Sequence, residues 1–228
     1  MIKIGVLGGI GPEATGTFYL KLIKKLQESG LIKTNQDFPK IVINSIPAPE
    51  LVFDKIEDND LSLYIKGLEE LDKMDLDFII MVCNTIYLFY EKLQSKIKTE
   101  IIDLRKEVYK ELKKEGRRIT IIGTPGTIKK GPYNFEDIEY INPNEEEIKI
   151  LSEVVFNFNR GFRLEEQKNK TMDIINKYLS QGSEIILLGC TEFAVMLEDE
   201  DIPKKNTIDI LVNVVVNRCL TKHPQPLL

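Results

Sequence analysis

Short apolar runs alternate with longer amphipathic stretches along this chain, and that alternation sets the architecture. The candidate strands are 2–8 (IKIGVLG), 40–46 (KIVINSI), 77–82 (DFIIMV), 100–103 (EIID), 118–123 (RITIIG), 138–141 (IEYI), 184–189 (EIILLG) and 206–209 (NTID). Several are apolar on consecutive positions, not on alternate ones, as expected of strands covered on both faces in a parallel sheet. Between them the apolar residues recur at helical spacing, as in FYLKLIKKLQ at 18–27 and LSLYIKGLEELDKM at 61–74. The pattern predicts an α/β fold with mainly parallel sheets flanked by helices.

The order of elements repeats. IGVLGGIGPEAT at 4–15 and TIIGTPGTIK at 120–129 are both strands breaking into loops of Gly, Pro and Thr. FIIMVCNT at 78–85 and IILLGCTE at 185–192 are both apolar strands followed by Cys and a small polar residue suited to cap a helix. Corresponding pieces lie roughly 105–115 residues apart, so the chain reads as two similar α/β subdomains related by a pseudo-two-fold. The expected division is 1–98 with 208–228 against 99–207, with a cleft between them.

The opening loop, GVLGGIGPEAT, fits a dinucleotide-binding template through Gly9, Gly11 and Ala14. That template also wants an acid about 20 residues on, at the end of the second strand, to hold a ribose. Here the second strand ends in Asn44, Ser45 and Ile46, and Glu28, at about the right spacing, falls near a helix end. Pro12 suits the first turn of the following helix, where no N–H is required. A nucleotide cofactor is therefore not expected.

Composition narrows the chemistry further. With 228 residues, 43% hydrophobic and 29% charged, the chain can bury a substantial core. A net charge of −5 argues against a nucleic-acid partner. The basic pairs at Lys24-Lys25, Lys113-Lys114, Arg117-Arg118 and Lys129-Lys130 have acids interspersed and read as solvated faces. The longest apolar run is about eight residues against the roughly 20 of a membrane span, and a cytoplasmic location is expected. Three widely spaced cysteines do not suggest a disulfide framework. The single histidine, His223, argues against histidine-rich metal sites, a Ser-His-Asp triad and a Cys-His dyad.

Attention falls on Cys83 and Cys190. Both stand at the carboxyl end of a predicted strand and immediately before a helix start, where loops gather ligands and unpaired N–H groups favour a thiolate. Cys219, in NVVVNRCL, reads as core. Two facing thiols without histidine or metal suit a two-base reaction: one sulfur removes a proton from carbon and the other returns one to the opposite face. Charge developing on an adjacent carboxylate would need stabilising, and preorganised N–H donors in the Gly/Thr loops suit this.

GVLGGIGPEAT, MVCNT and LLGCTE together resemble the aspartate/glutamate racemase superfamily, specifically its aspartate racemase branch. The resemblance implies a cofactor-independent amino-acid racemase, two α/β subdomains with the site between them, and commonly a homodimer. It implies Cys83 and Cys190 as catalytic acid/base thiols. Asn84, Thr85 and Thr191 would hold the substrate α-carboxylate, and Thr124 and Thr127 would line the site. Gly9 and Gly11 would act through the backbone, and Glu192 would bind the amino group or orient the thiol. Three positions depart from the branch: Tyr87 stands where a His is common, Pro49 where an Arg recognises a distal carboxylate, and Asn159 at about the place of a Lys. Arg160 or Arg163 is a substitute anchor for that carboxylate, or else a solvated helix-end charge. Aspartate leads as substrate; the alternatives are a racemase of broader or different amino-acid specificity and a non-catalytic amino-acid-binding protein on the same scaffold.

Overall fold

The computed structural model describes residues 1–49, 51, 61–115, 117–129 and 131–222. His223 and the rest of the C-terminal tail lie outside the described residues, as does Lys130. In the first half, β1 (Lys3–Gly8) leads to α1 (Pro12–Glu28), β2 (Lys40–Ser45), α2 (Ser62–Asp72) and β3 (Phe78–Met81). A 3-10 turn (Thr85–Phe89), α3 (Tyr90–Gln94) and α4 (Leu104–Glu115) follow. The second half contains β4 (Ile119–Ile122), α5 (Pro125–Lys129), α6 (Glu145–Asn159) and α7 (Leu164–Ser180). It ends with β5 (Ile185–Leu188), α8 (Thr191–Met196), β6 (Lys204–Asn206) and α9 (Thr207–Lys222).

Two parallel three-stranded sheets result, in the orders β2-β1-β3 and β4-β5-β6. Two of the expected strands shrink to single parallel bridges that extend these sheets: Ile101 beside Ile79, and Tyr140 beside Ile119. With the bridges counted, the sheets share one order. Strand β2 corresponds to Tyr140, β1 to β4, β3 to β5, and Ile101 to β6. Because Ile101 pairs into the first sheet, that sheet runs past the division read at residue 98. The repeat legible in the sequence is thus a repeat of topology.

β3, β4 and β5 are buried at every position, which accounts for their unbroken apolar composition. Edge strand β2 is exposed or half-buried at every position and carries Lys40 and Ser45 at its ends. The expected strand at 206–209 is displaced. The strand is Lys204–Asn206, and the Asn206 side chain accepts from the Ile208 N–H at 2.8 Å, so helix α9 begins at Thr207. An Asn cap turned the chain helical one residue into the predicted strand.

Helix α1 opens at Gly11 with Pro12 in its first turn and buries Ala14, Phe18, Leu22 and Leu26, a stripe at helical spacing. Helix α9 packs against α1 and α4. It contributes Ile208, Leu211, Val215 and Cys219 to the core, so Cys219 is a core residue as read.

Candidate active site

The two cysteines occupy equivalent places. Leu7 of β1 lies opposite Met81 of β3, and Ile122 of β4 lies opposite Leu188 of β5. Cys83 is two residues beyond Met81 and Cys190 two beyond Leu188, both at carboxyl strand ends and both buried. The chain turns helical directly after each. The N–H groups of Thr85 and Ile86 face the Cys83 sulfur, and that of Glu192 faces Cys190.

Those N–H groups were expected to lower the thiol pKa values, and here the structure differs. Burial pushes Cys83 up to about 12, with the Glu192 charge adding to it and the two N–H groups only partly opposing. Burial likewise raises Cys190 well above the ordinary thiol value, reinforced by the Glu192 charge, the Glu192 hydrogen bond and the charge of Cys83. Desolvation outweighs a few backbone dipoles when both halves close over the sulfurs. Both are thiols at neutral pH in this structure.

Glu192 organises the second thiol. The Cys190 Sγ–H donates to its Oε2 at 2.8 Å and the Thr191 hydroxyl to the same oxygen at 3.1 Å. Asn159, on the exposed end of α6, donates to Oε1 at 3.4 Å. Gly11 leaves room for that oxygen: a Cβ there would lie 2.5 Å from it. The opening loop thus reaches the Cys190 site through the space at Gly11. Gly9 holds a left-handed backbone at φ 84° and donates its N–H to Thr15 Oγ1 at 3.1 Å. Glu13 is exposed.

The predicted threonines converge across the halves. Thr85 Oγ1 lies 2.9 Å from Thr124 Oγ1 and 3.2 Å from Thr127 Oγ1, and the latter two are 3.2 Å apart. All three are buried, so the hydroxyls form a closed triangle contributed by both subdomains. Asn84 is buried as well and is held by two residues that sequence reasoning missed: Tyr133, whose phenol donates to Oδ1, and Thr207, whose Oγ1 accepts from Nδ2 at 2.9 Å. For Thr207 a signal existed, since NTID carries the small polar pair that ends the other site strands.

Tyr87 is fully buried and donates to the Met81 carbonyl at 3.3 Å, so its phenol belongs to the backbone of β3. The Pro49 carbonyl accepts from the Tyr64 phenol. Neither proposed arginine is brought to the thiols by a hydrogen bond or ion pair. Arg160 is exposed and lies over the Phe156 ring, and Arg163 is exposed, over Phe162 and paired with Glu166 at 3.1 Å. Among the described residues no cluster of His, Cys, Asp and Glu is arranged to hold a metal ion, and no helix is long and apolar enough to cross a membrane.

The fold is a two-sheet α/β scaffold with a cysteine at matching strand ends, and its class is that of the Asp/Glu/Hydantoin racemases. The chain belongs to the Asp/Glu/Hydantoin racemase family, whose model matches residues 7–215; it is an isomerase acting on amino acids. It is 24% identical over 202 residues to the broad specificity amino-acid racemase RacX of Bacillus subtilis, covering 86% of this chain and 87% of that protein. Among solved structures it is similar to an aspartate racemase homologue from Pyrococcus horikoshii, at 26% identity and TM-score 0.71, covering 96% of this chain and 99% of that one. The Picrophilus torridus aspartate racemase superposes with TM-score 0.76 at 22% identity, over 95% and 94% of the two chains, a likeness of fold.

Proposed function

We propose that this protein racemises a free amino acid, with aspartate the leading substrate, by a two-base mechanism between Cys83 and Cys190 and without a cofactor. The observation that carries the reading is the placement of two buried thiols at equivalent strand ends, close enough for the charge of one to raise the other. One thiolate removes the Cα proton, and the electron pair spreads into the α-carboxylate. The opposite thiol delivers its proton to the other face and becomes the thiolate. The product is the enantiomer, with the two sulfurs having exchanged protonation states.

Asn84, Thr85, Thr124, Thr127 and Thr191 supply amide and hydroxyl donors for the carboxylate that gains charge in the transition state. Both thiols are raised at rest, so a step that lowers them must accompany binding. Glu192 offers that step: an ammonium group beside its carboxylate offsets the negative charge that helps hold both thiols up. Glu192 thereby orients Cys190 and receives the amino group, combining two roles read as alternatives.

The test is racemisation in heavy water. Either enantiomer of aspartate should yield the other with deuterium at Cα, and Cys83→Ala or Cys190→Ala should abolish turnover. Robust turnover by both single variants would refute the mechanism.

A broader substrate range is the second reading. It is favoured by Asn159 standing on Glu192 where a Lys is usual, and by the exposure of Arg160 and Arg163. A panel of L-amino acids resolved by chiral chromatography separates the two. Tight amino-acid binding with no Cα exchange would point instead to a binding protein. We further propose a cytoplasmic homodimer with the halves divided as 1–98 plus 208–228 and 99–207, the Ile101 contact aside; light scattering tests the dimer.

A further inference from the structure

Asn84 sits one residue after Cys83, and its carboxamide is tied at both ends to the second half of the chain. The direction of each bond follows from counting protons. The Thr207 hydroxyl has one proton, and it goes to the Leu188 carbonyl at 3.1 Å. Toward Asn84 that hydroxyl can only accept, so the atom facing it at 2.9 Å is Nδ2. Oδ1 is then left facing Tyr133, and the phenol must donate.

All three side chains are essentially sealed from solvent: Tyr133 and Thr207 are 0% exposed and Asn84 is 1% exposed. Burial holds the Tyr133 phenol well above its ordinary pKa, which keeps its proton in place for this bond. The path has a definite destination. Leu188 is two residues before Cys190, so the bonds run from the Cys83 turn through Asn84 and Thr207 to the strand end that carries the other thiol. Thr207 is fixed in turn by the start of α9, where Asn206 caps the helix.

We propose that Tyr133 and Thr207 are positioning residues: acting through the Asn84 carboxamide, they lock the Cys83 turn against the Cys190 strand end. They also leave one Asn84 N–H as an oriented donor beside Cys83. The proposal rests on the racemase reading for its purpose and on the hydrogen-bond directions for its geometry. A free amide could turn over and present oxygen where the substrate carboxylate requires N–H. The clamp removes that alternative, and it couples the position of one thiol to the other without touching the substrate.

The experiment compares Tyr133→Phe, Thr207→Val and Thr207→Ser with the parent, using Thr120→Val as a control. Thr120 is equally buried and loses a comparable hydroxyl bond, to the Ile141 carbonyl at 2.7 Å, on β4 away from the carboxamide. Two readouts are needed. The first is hydrogen exchange of the Asn84 side-chain amide, followed by NMR in 15N-asparagine-labelled protein. The second is kcat/KM for racemisation, normalised to folded protein.

The clamp predicts faster amide exchange and a loss of about tenfold or more in kcat/KM for Tyr133→Phe and Thr207→Val. Thr207→Ser should recover most of that loss. Thr120→Val should lower thermal stability alone. If Tyr133→Phe does not fold, the Thr207 pair decides. Unchanged amide exchange in Thr207→Val, with activity tracking stability as in Thr120→Val, would overturn the proposal. If the parent racemises no amino acid, the racemase reading fails, and the exchange measurement still decides whether the clamp exists.

Discussion

Replacing Gly11 with alanine tests whether the opening loop serves the site or only the fold. Gly11 has φ −129° and ψ 98°, an extended conformation that alanine adopts without strain. By itself the change should stabilise by about 0.4–1 kcal/mol, through a less flexible unfolded chain. The new Cβ would stand 2.5 Å from Glu192 Oε1, and ordinary contact begins at 3.4 Å, so the carboxylate must retreat by about 0.9 Å. Its other oxygen receives the Cys190 thiol at 2.8 Å, a bond that does not survive a shift of that size unaltered. A displacement near 1 Å at a reacting group costs on the order of a hundredfold in rate. The expected result is a thermal midpoint within a few degrees of the parent and kcat/KM lowered about a hundredfold. Chiral chromatography of aspartate and a melting curve measure the two. Gly9→Ala supplies the contrast: at φ 84°, with a Cβ 2.4 Å from the Ile46 carbonyl oxygen, it should destabilise by upwards of about 2 kcal/mol because rigid backbone must move. Parent-like kcat/KM in Gly11→Ala would refute the link between loop and thiol.

Two further outcomes follow from electrostatics. Cys83 is raised from 9.0 to about 12 in the folded state, so between those values the native protein holds a proton that the unfolded chain gives up. Its contribution is complete below pH 9 and is lost as pH rises toward 12, with a slope of about 1.4 kcal/mol per pH unit. Urea titrations across that alkaline range should show a shallower loss for Cys83→Ala; identical slopes would mean that the thiol is not desolvated. Lys21 joins α1 to the end of α8 and the start of α9, with ion pairs of 2.6 Å to both Glu198 and Asp209. Burial opposes its charge, but the two hydrogen-bonded carboxylates outweigh that and raise its pKa. Lys21→Met should cost about 1 kcal/mol or less at low salt, with the difference shrinking as salt is added.

The strands and both cysteines were legible because their signals are local. An apolar run such as IIMVC or IILLGC, ended by a small polar residue, places a thiol at a strand end in any parallel sheet. Strand β6 was misplaced because Lys204 and Lys205 give it no apolar run; Lys204 turns its ammonium onto the carbonyls of Leu197 and Glu198. The direction of the thiol shifts was not legible either, since burial of Cys83 and Cys190 depends on the closing of both halves. Tyr133 and Asn84 are 49 positions apart, and Asn84 and Thr207 are 123 apart. No periodicity or motif reports contacts of that range. Asn159 was found only as the occupant of a position where Lys is usual, and the structure supplies its partner, Glu192.

Helix α9 has a consequence for how the protein is made. It is the last described element, yet it packs on α1, the first helix, and on α4. During synthesis the first sheet and α1 emerge well before α9, so the face of α1 on which α9 packs stays uncovered until α9 follows. The amino-terminal half therefore completes its packing only after the second half has been made. Shortening the carboxyl terminus into α9 would strip cover from the half of the protein made first.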